Sequence, residues 1–135
     1  MSYSGFLIKV GNYTISTKKY IKAESYSITR NVQDLDSYRD ANGLLHRNAL
    51  EHAPLKCEFE TVPLLNADEM GDLMAGIRAN FTSEAERKAS VTLFVPELND
   101  YVTQDMYMPD PQFKLYGNYN NTIQYQSVRM AFIGY

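Results

Sequence analysis

Leu55-Lys56-Cys57-Glu58-Phe59-Glu60 alternates apolar and charged side chains, whereas Asn66-Ala67-Asp68-Glu69-Met70-Gly71-Asp72-Leu73-Met74-Ala75-Gly76-Ile77-Arg78, six residues on, follows a different rhythm. The first stretch has a period of two, which marks a strand with one buried face. In the second, Met70, Leu73, Met74, Ile77 and Phe81 recur at the three-and-four spacing that lines one side of a helix. Asn66 can cap that helix, and Glu69, three residues later, completes a capping-box pair. A helix is therefore expected over residues 66–80. Because it is the only strong helical pattern in the chain, the fold class depends on how many strands accompany it.

On the amino-terminal side, Phe6 to Val10 reads as a short apolar strand stopped by Gly11-Asn12, and Tyr13 to Ser16 as its hairpin partner. Tyr20 to Arg30 holds no Gly or Pro, so one long strand is expected there, with both of its faces mixed. On the carboxyl side, Thr82 to Lys88 reads as a solvated connection. Val91 to Val95, Tyr101 to Met108, Phe113 to Tyr116 (closed by Gly117-Asn118) and Thr122 to Ile133 are rich in β-branched and aromatic residues. The expectation is an α+β, mainly β fold: an antiparallel β-sandwich or rolled barrel with one amphipathic helix against it. A doubly wound nucleotide-binding fold would need several helices. At about 100–200 residues per domain, the 135 residues are expected to form a single domain over 1–135.

Between the Tyr20 strand and the Leu55 strand, Asn31 to Ala53 loses periodicity and becomes charged and turn-forming. Asn42-Gly43 accepts positive φ cheaply and is the expected tip of a long hairpin arm that returns the chain to pair with the Tyr20 strand. Loops this long in a small domain are usually functional or disordered. Around the glycine stand Arg39, Asp40, Asn42, Leu45, His46 and Arg47. Their mixed charge can form complementary pairs, and Leu44, Leu45 and Leu50 are apolar groups that a solvated tip does not need. Arg39, Asp40, Asn42, Gly43, Leu45, His46 and Arg47 are therefore the candidate subunit-interface residues.

Chemistry is sparse by comparison. Thirteen basic against sixteen acidic residues leave a net charge of -3, which disfavours sequence-independent binding to nucleic acid. His46 and His52 lack metal-ligand spacing. Setting Gly43 at the sixth position of a calcium loop puts Tyr38 and Ala49 where Asp and Glu are required. Cys57 has no disulfide partner and fits a reducing compartment, and its neighbours Glu58 and Glu60 oppose a thiolate. Glu58 and Glu60, or Asp34 and Asp36, share a strand face as solvated edges commonly do. No catalytic, cofactor-binding or metal-binding residues are expected, no cofactor, and no enzymatic activity. The Asn-x-Thr tripeptides at Asn12, Asn80 and Asn120 are not expected to carry glycans. Neither a signal-peptide pattern nor a run of roughly 18 apolar residues is present, so no membrane partner is expected.

The order of long strand, extended arm, returning strand, single amphipathic helix and closing strands resembles the phage tail-tube fold, which tube subunits share with ring domains of baseplate and tail-completion proteins. Arg39-x-Ala41-x-Gly43 followed by Leu45 and Arg47 is similar to a pattern in small prophage proteins from tail gene clusters of Gram-positive hosts. The resemblance implies a tail-tube-like structural protein of the virion tail, made in the bacterial host cytoplasm. Its partners would be further copies of itself in a homo-oligomeric ring, hexameric as one arrangement, together with neighbouring phage tail proteins. DNA would be only a transient passenger through an acidic lumen. Eleven tyrosines keep a second reading open, a monomeric β-sandwich binding module for carbohydrate or protein.

Overall fold

The computed structural model describes residues 3–119 and 121–135. In chain order the strands and helices are β1 (Ile8–Val10), β2 (Tyr13–Thr14), α1 (Thr17–Tyr20), β3 (Ser27–Arg30), β4 (Tyr38–Arg39), β5 (Leu45–His46), β6 (Leu55–Glu60), β7 (Leu65–Asn66), α2 (Ala67–Arg78), β8 (Lys88–Val95), β9 (Asp100–Tyr107), β10 (Leu115–Tyr119), β11 (Thr122–Tyr125) and β12 (Arg129–Gly134). Seven strands form one antiparallel sheet in the order β2-β1-β8-β9-β12-β6-β3, and β10-β11-β7 form a second. The pair β4-β5 stands apart as the arm. The architecture is mainly β and antiparallel with few helices, as the alternation in the sequence implied.

The large sheet is strongly rolled. Four inter-strand spacings of about 4.8 Å separate β8 from β3, yet the Tyr26 hydroxyl at the start of β3 donates to the Phe94 carbonyl on β8 at 2.8 Å. Arg30, at the other end of β3, reaches Glu97 just beyond β8 at 3.9 Å. A flat sheet would hold these groups too far apart for a tyrosine to bridge.

Alternation on β6 buries Leu55, Cys57 and Phe59, and α2 buries Met70, Leu73 and Ile77 against them in a core shared with β1, β8 and β12. The Asn66–Glu69 capping box forms in both directions: Glu69 N donates to Asn66 Oδ1 at 2.8 Å and Asn66 N to Glu69 Oε1 at 3.2 Å. A Cβ on Gly76 would meet the Tyr13 ring at 2.6 Å, so this mid-helix glycine lets β2 lie directly on α2.

Four expectations need correction. Tyr20 to Arg30 is not one strand: Ser16 caps the short α1 by accepting from Lys19 N, and Ala23–Ser25 is a 3-10 turn. The Ser25 hydroxyl donates to Lys22 O at 2.5 Å and accepts from Glu60 N at 2.8 Å, so a side chain replaces part of the strand ladder. Tyr13 to Ser16 keeps only two strand residues, because Ser16 belongs to that cap. Gly117-Asn118 does not close a strand but lies within β10, at a register shift against β11, and the chain reverses at Asn121, where φ is 65°. Thr122 to Ile133 is two strands in different sheets, parted where Val128 bonds Thr61 through both backbone and hydroxyl. The Asn120 tripeptide lies outside the described residues, while Asn80 spends its side chain on Gly76 O and Asn12 N.

Candidate assembly interface

From residue 31 to residue 52 no side chain is buried, and the segment is nevertheless ordered by its own hydrogen bonds. At the tip, Gly43 N donates to Asp40 O and Asp40 N to Leu44 O, with φ at Gly43 of 81°. This is a type I turn followed by a left-handed glycine, the usual three-residue hairpin solution. Among the tip residues only Gly43 takes positive φ, so the Asn42-Gly43 pair acts here through the glycine alone.

Asp40 organises the turn. Its Oδ1 accepts from Asn42 N at 2.9 Å and Leu44 N at 3.1 Å, and its Oδ2 lies 2.9 Å from His46 Nε2. His46 in turn stacks on Tyr38 at 4.9 Å. Arg39 donates to Gly43 O at 2.9 Å. Further down, Arg47 forms a two-pronged pair with Asp34, with Nη2 to Oδ1 at 2.8 Å and Nε to Oδ2 at 3.1 Å. The Arg47 hydrogen bond holds the Asp34 carboxyl below its ordinary range, and the His46 hydrogen bond does the same for Asp40. The pairing Tyr38↔His46 becomes Asp34↔Ala49 lower in the arm. The outgoing strand thus carries one extra residue, and Asp36 with φ of 54° marks the bulge.

The root is clamped to the sheet. Gln104 on β9 accepts from Leu55 N at 3.0 Å and donates to Ala53 O at 3.1 Å. Asn31 N reaches Pro54 O at 3.0 Å, and His52 Nε2 lies 2.6 Å from Tyr135 O.

The structure brings Arg39, Asp40, Asn42, Gly43, Leu45, His46 and Arg47 together in one hairpin, and it divides them by role. Arg39, Asp40, His46 and Arg47 are partnered inside the arm and brace it. Outward, the arm presents Val32, Leu35, Tyr38, Leu44, Leu45 and Leu50, exposed by 42% to 64%. A solvated brace has no use for six such groups, whereas a docking surface does. Val32, Leu35 and Tyr38 escaped sequence reasoning because they are scattered among charges without a period. Phe113, Leu115 and Tyr116, on and before β10, form a second exposed apolar group.

Elsewhere the chemistry is quiet. A hollow of 470 Å³ is lined by Lys22, Glu24, Glu58, Glu60 and Arg129, but Arg129 and Lys56 engage Glu58, and Lys22 engages Glu24 and Glu60. Cys57 is fully buried, and its thiol is pushed up to about 12, chiefly by that burial, with Glu58 a lesser cause than the sequence suggested. Among the described residues no group of three or more His, Cys, Asp or Glu could hold a metal, and no helix is long and apolar enough to cross a membrane.

Residues 1–135 match a family of unknown function, DUF6711. The chain belongs to that family. None of the curated proteins matches this DUF6711 chain. Among solved structures, a chain described as the tail of an empty GTA particle, refined helically with C6 symmetry, shares its fold: the TM-score is 0.55 at 10% identity, over 99% of this chain and 95% of the other.

Proposed function

We propose that this DUF6711 chain is a structural tail protein of a phage-like particle, assembling with copies of itself into a ring or tube through sheet edges and the arm. The observation that carries the reading is the arm: a hairpin clamped at its root, braced internally, and covered in apolar side chains that nothing in the monomer buries. Ordering such a segment costs chain entropy, which burial against another subunit offsets. The fold shared with a chain of a C6-symmetric tail supports a six-membered ring. A net charge of -3 suits a lumen that DNA crosses without sticking. Tail tube, baseplate ring and tail-completion ring all fit this reading, which assigns the protein to the virion tail and gives it no catalytic role.

Light scattering across a wide concentration range, with negative-stain images of the same fractions, tests it. Rings or tubes are expected, and Leu44→Ser with Leu45→Ser should shift assembly to at least tenfold higher concentration while leaving the monomer's melting temperature unchanged. A strict monomer at every concentration, with tyrosine fluorescence that responds to a carbohydrate or protein ligand, would establish the binding-module reading instead.

A further inference from the structure

We propose that the surface receiving the arm is the free edge of β10 on a second copy of this chain, with Phe113 and Tyr116 beside it. The inference rests on the ring-or-tube reading and identifies its missing half. Identical subunits that close a ring by rotation need two different, complementary patches each, because a patch that meets only its own copy stops at a dimer. The arm is one patch, and the other has to lie elsewhere on the molecule.

Comparison of the available edges selects β10. At one end of the large sheet β2 has two residues. At the other end β3 is rolled back against β8 through Tyr26 and Arg30, which obstructs an incoming strand. In the small sheet β7 is also two residues long and runs straight into α2. β10 has five residues and only β11 beside it. It is also exposed on both faces: Leu115 is 54% and Tyr116 61% accessible. A strand open on two faces and one edge is marginal in water, and unpaired edges of this kind template the addition of another strand.

Charge argues for the arm as the occupant. The arm carries four carboxylates (Asp34, Asp36, Asp40, Glu51) against two guanidinium groups (Arg39, Arg47). Asp34 pairs with Arg47 and Asp40 with His46, Arg39 donates to the Gly43 carbonyl and keeps its charge, and Asp36 and Glu51 have no ion-pair partner among the described residues, so the acids outweigh the bases in the arm. On the other patch Asp110 is held by Arg87 at 3.5 Å, whereas Lys114, between Phe113 and Leu115, has no such partner among the described residues. The two patches therefore set a net excess of opposite charge, acidic on the arm and basic beside β10, among exposed apolar groups. Beside Phe113 lies a hollow of 410 Å³ whose lining mixes Met74 and Pro111 with Arg78, Arg87 and Asp110, and its apolar side offers a leucine from the arm a contact.

Cysteine cross-linking decides the matter, because the native Cys57 is buried and stays silent. Leu44→Cys, Tyr116→Cys and the double variant are treated with a short bismaleimide while light scattering reports assembly in the same samples. The double variant is expected to give a ladder of linked subunits, and each single variant to remain unlinked. Dimers from Leu44→Cys alone would mean that arms meet arms, and would overturn the proposal. Assemblies whose double variant gives no ladder would overturn it too while leaving the ring-or-tube reading standing. An unsubstituted chain that stays monomeric beside them would defeat both. A milder variant checks the charge argument: Lys114→Glu should weaken assembly several-fold, and Asp36→Lys on the same chain should recover it.

Discussion

The body of the molecule and its arm are ordered by opposite means. In the body, Phe59, Phe132, Leu73 and Ile77 are sealed from water, and polar groups serve only to finish the packing. In the arm nothing is sealed from residue 31 to residue 52, and order comes from Asp40, Asp34 and their partners. Exposed ion pairs and turns contribute little to global stability, so the arm can be altered almost without the body noticing. On the proposed reading, folding and assembly are thereby written in separate residues. A ring subunit of the kind proposed above would benefit from this separation, since its interface could stay open until a neighbour arrives without the subunit unfolding meanwhile.

If that separation is real, the largest stability effects belong to the body. Phe132→Ala removes a ring that is 1% exposed and should cost about 3–5 kcal/mol, read as a fall in the urea midpoint. A loss comparable to that of a surface substitution would show that β12 is not central. Thr61→Val is subtler. Thr61 is fully buried, and its hydroxyl accepts from Val128 N at 2.9 Å where the chain passes from β11 to β12. Leaving that amide unpaired should cost about 1–3 kcal/mol, again in equilibrium unfolding. An unchanged midpoint would mean that water replaces the hydroxyl.

Thr61 also shows why sequence and structure part where they do. β6 and α2 were legible because their periods, two and three-to-four, persist for several repeats and report burial directly. The arm was legible as a break in period with a glycine at its tip. The start of α1 and the break before β3 were not, because they depend on what the hydroxyls of Ser16 and Ser25 touch, and Ser25's partner Glu60 is 35 residues away. Similarly, nothing in Thr122 to Ile133 announces that it serves two sheets, since the switch is imposed by Thr61. The root clamp at Gln104 spans 49 residues, beyond any local pattern. Within the candidate interface the sequence pointed to charged residues together with Leu44, Leu45 and Leu50; the structure places Arg39, Asp40, His46 and Arg47 as braces of the hairpin and adds Val32, Leu35 and Tyr38 to the outward apolar groups. Composition alone does not distinguish a charge that faces a partner from one that faces its neighbour in the same hairpin.

The smallest effect is the sharpest test of the arm's independence. Asp34 and Asp40 are held below the ordinary carboxylate range by hydrogen bonds from Arg47 and His46. A carboxylate whose folded value is depressed contributes order that is fully present above its unfolded value of about 3.9 and is lost as pH falls through the folded one. Protection of the Leu35, Leu44 and Leu50 amides, whose acceptors all lie within the arm, should therefore hold at pH 7 and pH 5 and decline below about pH 4. The β8–β9 amides should stay protected throughout, and the global melting temperature should change little across the same step. Hydrogen exchange followed residue by residue distinguishes the outcomes. If arm and sheet lose protection together, the two regions are one cooperative unit; if the arm keeps its protection at pH 3, its order rests on the backbone turn at Gly43 and not on the carboxylates.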